Sequence, residues 1–273
     1  MNFQEKQVWN PLYTYIHLTQ CWDKRKQILV GLQDEKLTSA IQYVQARSQH
    51  LDLARRHRSE DRYEDSDGVF CCNRFEVNQL VGVRSMKEVY EAAKFFLTNV
   101  EISTTEALGH ITVREDYDSI GDDGSIGSFR LISARPSGIV TESNKVLYNR
   151  YFDHHELLGE RPCAVMATDS VDRDDLHPYD PKSRVRLDVS ATLVMTEVGR
   201  RKRKHGERPQ DSGSEAGSCE DEELTVVIQC ATFLKALAPE IDVHTDALNA
   251  IADGTASWVK VMLQSIRDFI NAL

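Results

Sequence analysis

Side chains able to do chemistry gather in a few stretches of this sequence. The densest is acidic: Asp169, Asp172, Asp174, Asp175, His177 and Asp180 fall within twelve positions. Paired carboxylates serve hydrolases as general acid and base, and clustered ones hold calcium. The spacing here lacks the central glycine and terminal glutamate of an EF-hand loop. No second constellation supplies a nucleophile or an oxyanion site, and Pro178 and Pro181 mark a solvated loop. His154-His155-Glu156 are metal-ligand types. Adjacent residues, however, cannot converge on one ion from a strand or helix, and zinc sites space their ligands further apart. Cys71 and Cys72 are strand neighbours that face opposite ways, and a reactive thiol would need nearby cations. GDDGSIG (121–127) is rich in glycine but lacks the Lys-Ser/Thr pair and following helix of a phosphate loop, so it reads as a hairpin turn. Arg200, Arg201, Lys202, Arg203 and Lys204 form a compact basic run, a nuclear-import candidate or a solvated counterweight to the acidic segment after it. These readings leave no catalytic residue, no metal and no cofactor.

The elements that must position any site sit in a chain of 273 residues, 41% hydrophobic and 28% charged, with a formal charge of −10. An acidic total opposes broad phosphate-backbone binding, which needs a basic face, so direct nucleic-acid binding is not expected. The six cysteines (Cys21, Cys71, Cys72, Cys163, Cys219, Cys230) show no CxxC pair and no disulfide framework. The opening MNFQEKQVWN lacks the apolar stretch of a signal peptide, and no run approaches the ~18 apolar residues of a membrane span. An intracellular protein, nuclear or cytoplasmic, is expected.

Residues 1–66 read as a polar helical arm in which Leu37, Ile41, Val44, Ser48 and Leu51 share one sparse stripe, with Ile28 and Leu32 leading into it. Such a helix docks on something else and is no independent core; a protein partner is the candidate. Asp67-Gly68 signals a turn, and residues 69–80 alternate as a strand. Ser85 and Glu88 form a capping box before a helix with Val89, Ala92, Ala93 and Phe96 on one face. From Gly109 the period switches to two. Strands are expected at 109–118, 129–133, 138–152, 163–171, 185–198 and 223–234, and the last two have one apolar and one mostly polar side, as in a sheet packed on a single face. Residues 199–221 are Gly/Ser/charge-rich and read as a long disordered loop. Residues 245–273 form a long amphipathic helix through Leu248, Ile251, Val259, Met262, Ile266 and Ile270. A sheet with one apolar face needs a cover, and this helix is the one long apolar candidate.

FCCNRFEV, GVRSMKEVYEA, EISTTEALGHITVREDYDS, PCAVMATDSVD with HPYDP, RVRLDVSATLVMT and ASWVKVMLQSIRDFI together resemble a START-like family of oomycete proteins, many of which carry an N-terminal bZIP segment. The resemblance covers roughly residues 68–273. It implies an α+β helix-grip fold, a curved antiparallel sheet on a long C-terminal helix, with residues 1–66 as the helical arm and 67–273 as the START-like domain. It also implies a hydrophobic, lipid-like ligand and, for relatives, a role in nuclear regulation. It brings no catalytic residues, and the basic helix and heptads of a bZIP are absent before Trp9. On the helix-grip reading Val189, Leu193, Val226, Ile228, Val259 and Met262 point inward and are the candidate ligand-binding residues. Three functions stay open: a hydrophobic-ligand module, a solid-packed protein-interaction domain, and an enzyme using the Asp169–Asp180 loop. A cavity of ~300 Å3 or more would favour the first over the second.

Overall fold

The computed structural model describes residues 10–272 apart from 110, 122–123, 136–137, 203–221 and 238–239. Ten strands are described: β1 (His17–Leu18), β2 (His57–Glu64), β3 (Phe70–Val83), β4 (Ile111–Ile120), β5 (Ile126–Ala134), β6 (Val140–Phe152), β7 (Cys163–Ser170), β8 (Arg173–Asp174), β9 (Val185–Lys202) and β10 (Glu222–Leu237). Four helices accompany them: α1 (Trp22–Ser48), α2 (Met86–Thr98), α3 (Val100–Leu108) and α4 (Thr245–Ala272). Eight strands make one sheet in the order β2-β3-β10-β9-β7-β6-β5-β4. Its neighbours are antiparallel, with one exception. β7 is too short to separate β6 from β9 along their whole length. Past its end Thr141 and Glu142 pair directly, in parallel, with Val185 and Arg186.

α4 crosses one face of this sheet, the helix-grip arrangement in outline. Val259, Met262, Leu263, Ile266 and Ile270 are buried there against Leu193, Met195, Val226 and Ile228. Burying each such side chain contributes ~1.5–3 kcal/mol before entropy is counted. α2 lies beside α4, started by Ser85, whose Oγ accepts from the Glu88 N–H at 3.1 Å. α3 follows after one residue and contacts α4 as well. The long hairpin of β9 and β10 is paired out to Lys202 and Glu222. Residues 199–202, expected in the loop, are therefore strand, and the rest of that segment lies outside the described residues.

The opposite face differs most from expectation. It is not a polar, solvated side. Val146, Tyr148, Val165, Val194, Val227 and Phe233 alternate with the α4-facing residues and form a second apolar surface. α1 covers it with Leu29, Leu37, Ala40, Ile41 and Val44. The sparse stripe of α1 is thus spent inside the domain and does not remain for a partner. Polar residues on this face are buried too: Asn10, Arg25, Lys36, Ser190, Thr192 and Gln229 are all under a tenth exposed. Burial of such groups is tolerable where they are hydrogen-bonded or ion-paired.

A second difference concerns the end of the segment 1–66, expected as a helical arm. His57–Glu64 instead form β2, the edge strand, paired antiparallel with β3. Arg58, Glu60 and Arg62 alternate with residues of the other face and build a ladder with Arg74 and Glu76 across the strand pair, and Arg62 reaches Asp253 of α4 at 2.7 Å. Opposite charges across strands stabilise a pair, and charge on an edge discourages pairing with another chain. The turn into β3 is as read: Gly68 takes φ +74° and donates to Asp65 O at 2.9 Å. No described helix is long and apolar enough to cross a membrane.

Candidate functional site

Between α4 and the sheet the packing is incomplete at one end. The large residues of α4 fill the space above β3, β9 and β10. Toward β5 and β6 the sheet runs on, while α4 presents Gly254 and Trp258. A cavity of about 140 Å3 results. Its apolar wall includes Phe129, Leu131, Leu147, Leu187, Val189 and Trp258, with Leu97 and Val100 from the α2–α3 junction. Phe96 meets Trp258 edge-on at 5.6 Å between centroids and supports that ring from behind. Arg114 stacks on Phe129 at 3.9 Å and donates to Leu97 O at 3.0 Å, tying β4 to the end of α2.

The alternation of β6 sends Thr141, Ser143, Lys145 and Leu147 into this space while Val146 and Tyr148 go to the α1 side. The hydroxyls are largely committed to backbone. Ser143 Oγ donates to Leu187 O at 2.8 Å, and Thr168 Oγ1, from β7, donates to Val146 O at 2.8 Å. Each oxygen keeps acceptor capacity and has no second proton to give. Lys145 is different. Among the described residues it makes no ion pair and no hydrogen bond, and burial alone pushes its pKa down to about 8. Arg135, just past β5, lines the same space, and burial holds its guanidinium below the ordinary value. The cavity therefore offers an apolar wall and two positively chargeable groups, with no acidic side chain among its lining residues.

Of the six residues that the sequence picks out for a ligand, Val189 lines the cavity. Leu193, Val226, Ile228, Val259 and Met262 lie in the close-packed cluster beside it. The cavity sits nearer β5 and β6 than those positions imply. Of the import candidate, Arg200, Arg201 and Lys202 belong to β9, and Arg203 and Lys204 lie outside the described residues.

The acidic loop borders a second, outer cleft of about 480 Å3, on the side of the sheet away from α4. Its carboxylates are engaged. Asp174 accepts from Arg25 at 2.8 and 3.1 Å and from the Leu176 N–H at 3.0 Å. Asp172 accepts from Tyr13 Oη at 2.7 Å and from the Ile16 N–H at 3.0 Å. Asp175 meets His17 at 3.0 Å and Arg173 at 2.8 Å, and Glu142 meets Arg184 at 2.6 Å. Burial raises Asp174, but its bonds from Arg25 more than offset that and hold it below the ordinary value. The His17 bond lowers Asp175 likewise. A general acid needs the opposite shift. These groups serve as fasteners: together with β1, which pairs with β8, they pin residues 10–25 to the loop.

Asp169 turns inward from β7 and meets Lys36 of α1 and Ser190 Oγ, the latter donating at 2.5 Å. Burial pushes this carboxyl up against the pull of both partners. Lys36 also donates to Leu12 O at 2.7 Å, and Asn10 Nδ2 donates to Ser190 Oγ at 2.7 Å. Arg25 and Lys36 were not singled out in the sequence because both sit in an evenly polar helix. The signal that exists is their partners: Asp118, Asp169 and Asp174 stand in or beside strands, where an unpaired acid would be costly.

His154 and His155 lie in the turn after β6, where the Leu157 N–H donates to His155 Nδ1 at 3.2 Å. Among the described residues no three His, Cys, Asp or Glu side chains come together as a metal set. Cys71, Cys163 and Cys230 are buried, and burial pushes their thiols up to about 11, 11 and 12, the opposite of an activated nucleophile.

No family model matches this chain, and no curated protein does. Among solved structures it is similar to human STARD10, with 12% identity over 85% of this chain and 79% of that one and a TM-score of 0.43. It is also similar to an uncharacterized protein from Rhizobium leguminosarum, with 12% identity over 74% of this chain and 99% of that one and a TM-score of 0.22.

Proposed function

We propose that this chain is a START-like binding module that holds a small hydrophobic molecule between the sheet and α4. The observation that carries this reading is the cavity at the Gly254–Trp258 end of the helix, lined mainly by aliphatic and aromatic side chains. At about 140 Å3 it is below the ~300 Å3 usual for a drug-sized site. It is close to the engineered ~150 Å3 apolar cavity that takes up benzene. A short acyl chain or a single ring fits the reading, and a whole phospholipid does not.

The competing reading, a ligand-free interaction domain, draws support from that modest volume and from the solid packing around Val226, Ile228 and Met262. Two substitutions separate the readings. Ala191→Phe projects into the cavity and should keep or raise stability while abolishing co-purification of a small molecule, read by native mass spectrometry. Val226→Phe overpacks the closed cluster and should cost ~1–3 kcal/mol. If Ala191→Phe is as destabilising as Val226→Phe and the wild type carries nothing, the domain is packed solid and the binding function falls. The enzyme reading has least support, because the loop carboxylates are tied to Arg25, His17, Arg173 and Tyr13. A regulatory role in nucleus or cytoplasm belongs to the same proposal, with Arg200–Lys204 as its address.

A further inference from the structure

A purely apolar ligand would leave the most unusual group in the cavity without work. Lys145 stands among Thr141, Ser143 and Leu147 on β6, with Arg135 bordering the same space and no carboxylate among the lining residues. Lys145 is half-buried by its surface exposure, whereas the four cations under a tenth exposed among the described residues are each matched: Arg25 by Asp118 and Asp174, Lys36 by Asp169, Lys235 by Asp65, Arg74 by Glu76. A buried charge without a partner is costly, so a lysine kept in an apolar space calls for an anion that arrives with the ligand.

The chemistry of that anion follows from the surroundings. The neighbouring hydroxyls of Ser143 and Thr168 already donate to backbone carbonyls. They cannot also serve the several oxygens of a phosphate, and the space is too small for a phospholipid headgroup with its chains. A carboxylate needs one ammonium and little else. The apolar wall of Leu131, Leu147, Leu187, Val189 and Trp258 then receives the rest of the molecule. We propose that the ligand is a small apolar carboxylic acid, a short or medium fatty acid or an arylcarboxylate, whose carboxylate pairs with the Lys145 ammonium. This rests on the cavity reading above and adds the charge and identity of the head.

The downward shift of Lys145 gives the pairing a pH signature. The ammonium is the form that binds, so affinity holds below pH 8 and falls above it. Arg135 is the other charged group facing the cavity and keeps its charge throughout that range.

The test uses octanoate and 1-octanol, which share the chain and differ in the head, titrated by calorimetry into wild type, Lys145→Met and Lys145→Gln. Wild type should bind octanoate at least tenfold more tightly than octanol at pH 7, with the preference shrinking by pH 9.5. Both variants should lose the preference while still binding octanol. An octanoate preference that survives in both folded variants would place the carboxylate elsewhere and overturn the proposal. Equal binding of the two probes by wild type would overturn it too, with the cavity reading intact. Binding of neither probe would remove the cavity reading and this inference together.

Discussion

Replacing Lys145 by methionine should make the protein more stable, by an amount that depends on pH in a defined way. Methionine keeps the length of the stem and removes the ammonium. In the folded chain the group's pKa falls from 10.5 to about 8, and each tenfold change in proton affinity is worth about 1.4 kcal/mol. Folding with the charged lysine therefore costs about 3 kcal/mol at neutral pH. The sign follows from proton counts. Between pH 8 and 10.5 the unfolded chain holds more protons at this site than the folded one, so wild-type stability rises with pH across that window. Below pH 8 both states are charged and the penalty is constant. Urea denaturation of wild type and Lys145→Met at pH 7, 8.5 and 10 reads the difference directly. The variant should gain about 3 kcal/mol at pH 7, which is about 6–12 °C in Tm for a domain of this size, and less than about 1 kcal/mol at pH 10. A loss of stability at pH 7, or a gain that is the same at pH 7 and pH 10, would refute the claim that Lys145 is charged, desolvated and unmatched. Saturating octanoate should shrink the wild-type deficit by stabilising that form alone.

Asp174→Asn should cost ~3–5 kcal/mol in urea melts, because Arg25 stays buried with half its carboxylate partners gone. Asp174's contribution in wild type is whole above the unfolded aspartate value of about 3.9 and is lost as pH falls through its lower folded value; an acid titration of stability should show this part missing in the variant. Met262→Asp should abolish the native circular dichroism spectrum, since that side chain has no solvent exposure. Joining Lys202 to Glu222 through an Asn-Gly turn should leave Tm unchanged or slightly raised, because the strands are already paired at those residues. Neutralising Arg200 to Lys204 should move a fluorescently tagged chain out of the nucleus, and an unaltered distribution would leave the run as a plain surface feature.

The elements legible in the sequence were those whose pattern is apolar. Val185, Leu187, Val189 and Ala191 alternate cleanly, and the helix over Thr245–Ala272 repeats at 3, 4 spacing. β2 was not legible, because its alternation is of charge: Arg58, Glu60 and Arg62 signal a strand only once Arg74 and Glu76 stand opposite. The second covered face was missed for a related reason. Ser190 and Thr192 read as solvent-facing, yet Val194, Val165 and Val227 share their side, and only the assembled sheet shows how wide that apolar surface is. Lys145 lay inside a stretch read as an ordinary strand. The trace it leaves is that β6 sends Lys145 to the same side as Leu147, whereas the other side carries Val146 and Tyr148, so neither face of this strand is cleanly polar. The position of the cavity is a matter of where large side chains stop, at Gly254 and Trp258, which periodicity does not measure.

The seat of α1 has a consequence for how the chain is made. Synthesis delivers this helix before the sheet: the surface it rests on is built from β6, β7, β9 and β10, and its contact through Tyr43 is with Phe233, almost two hundred residues later. Arg25 and Lys36 wait for β4, β7 and β8 to bring Asp118, Asp169 and Asp174, and the apolar stripe of Leu29, Leu37, Ile41 and Val44 lacks its full seat until β10 is made. A helix of evenly polar composition tolerates that wait in water, where a strongly apolar one would draw in other chains. Arg25 and Lys36 are among the polar groups of that helix. They also fix its register at the end, when three carboxylates converge on them. A nascent chain halted before β10 would hold α1 as a solvated tether, and docking of that tether would be among the last events of folding.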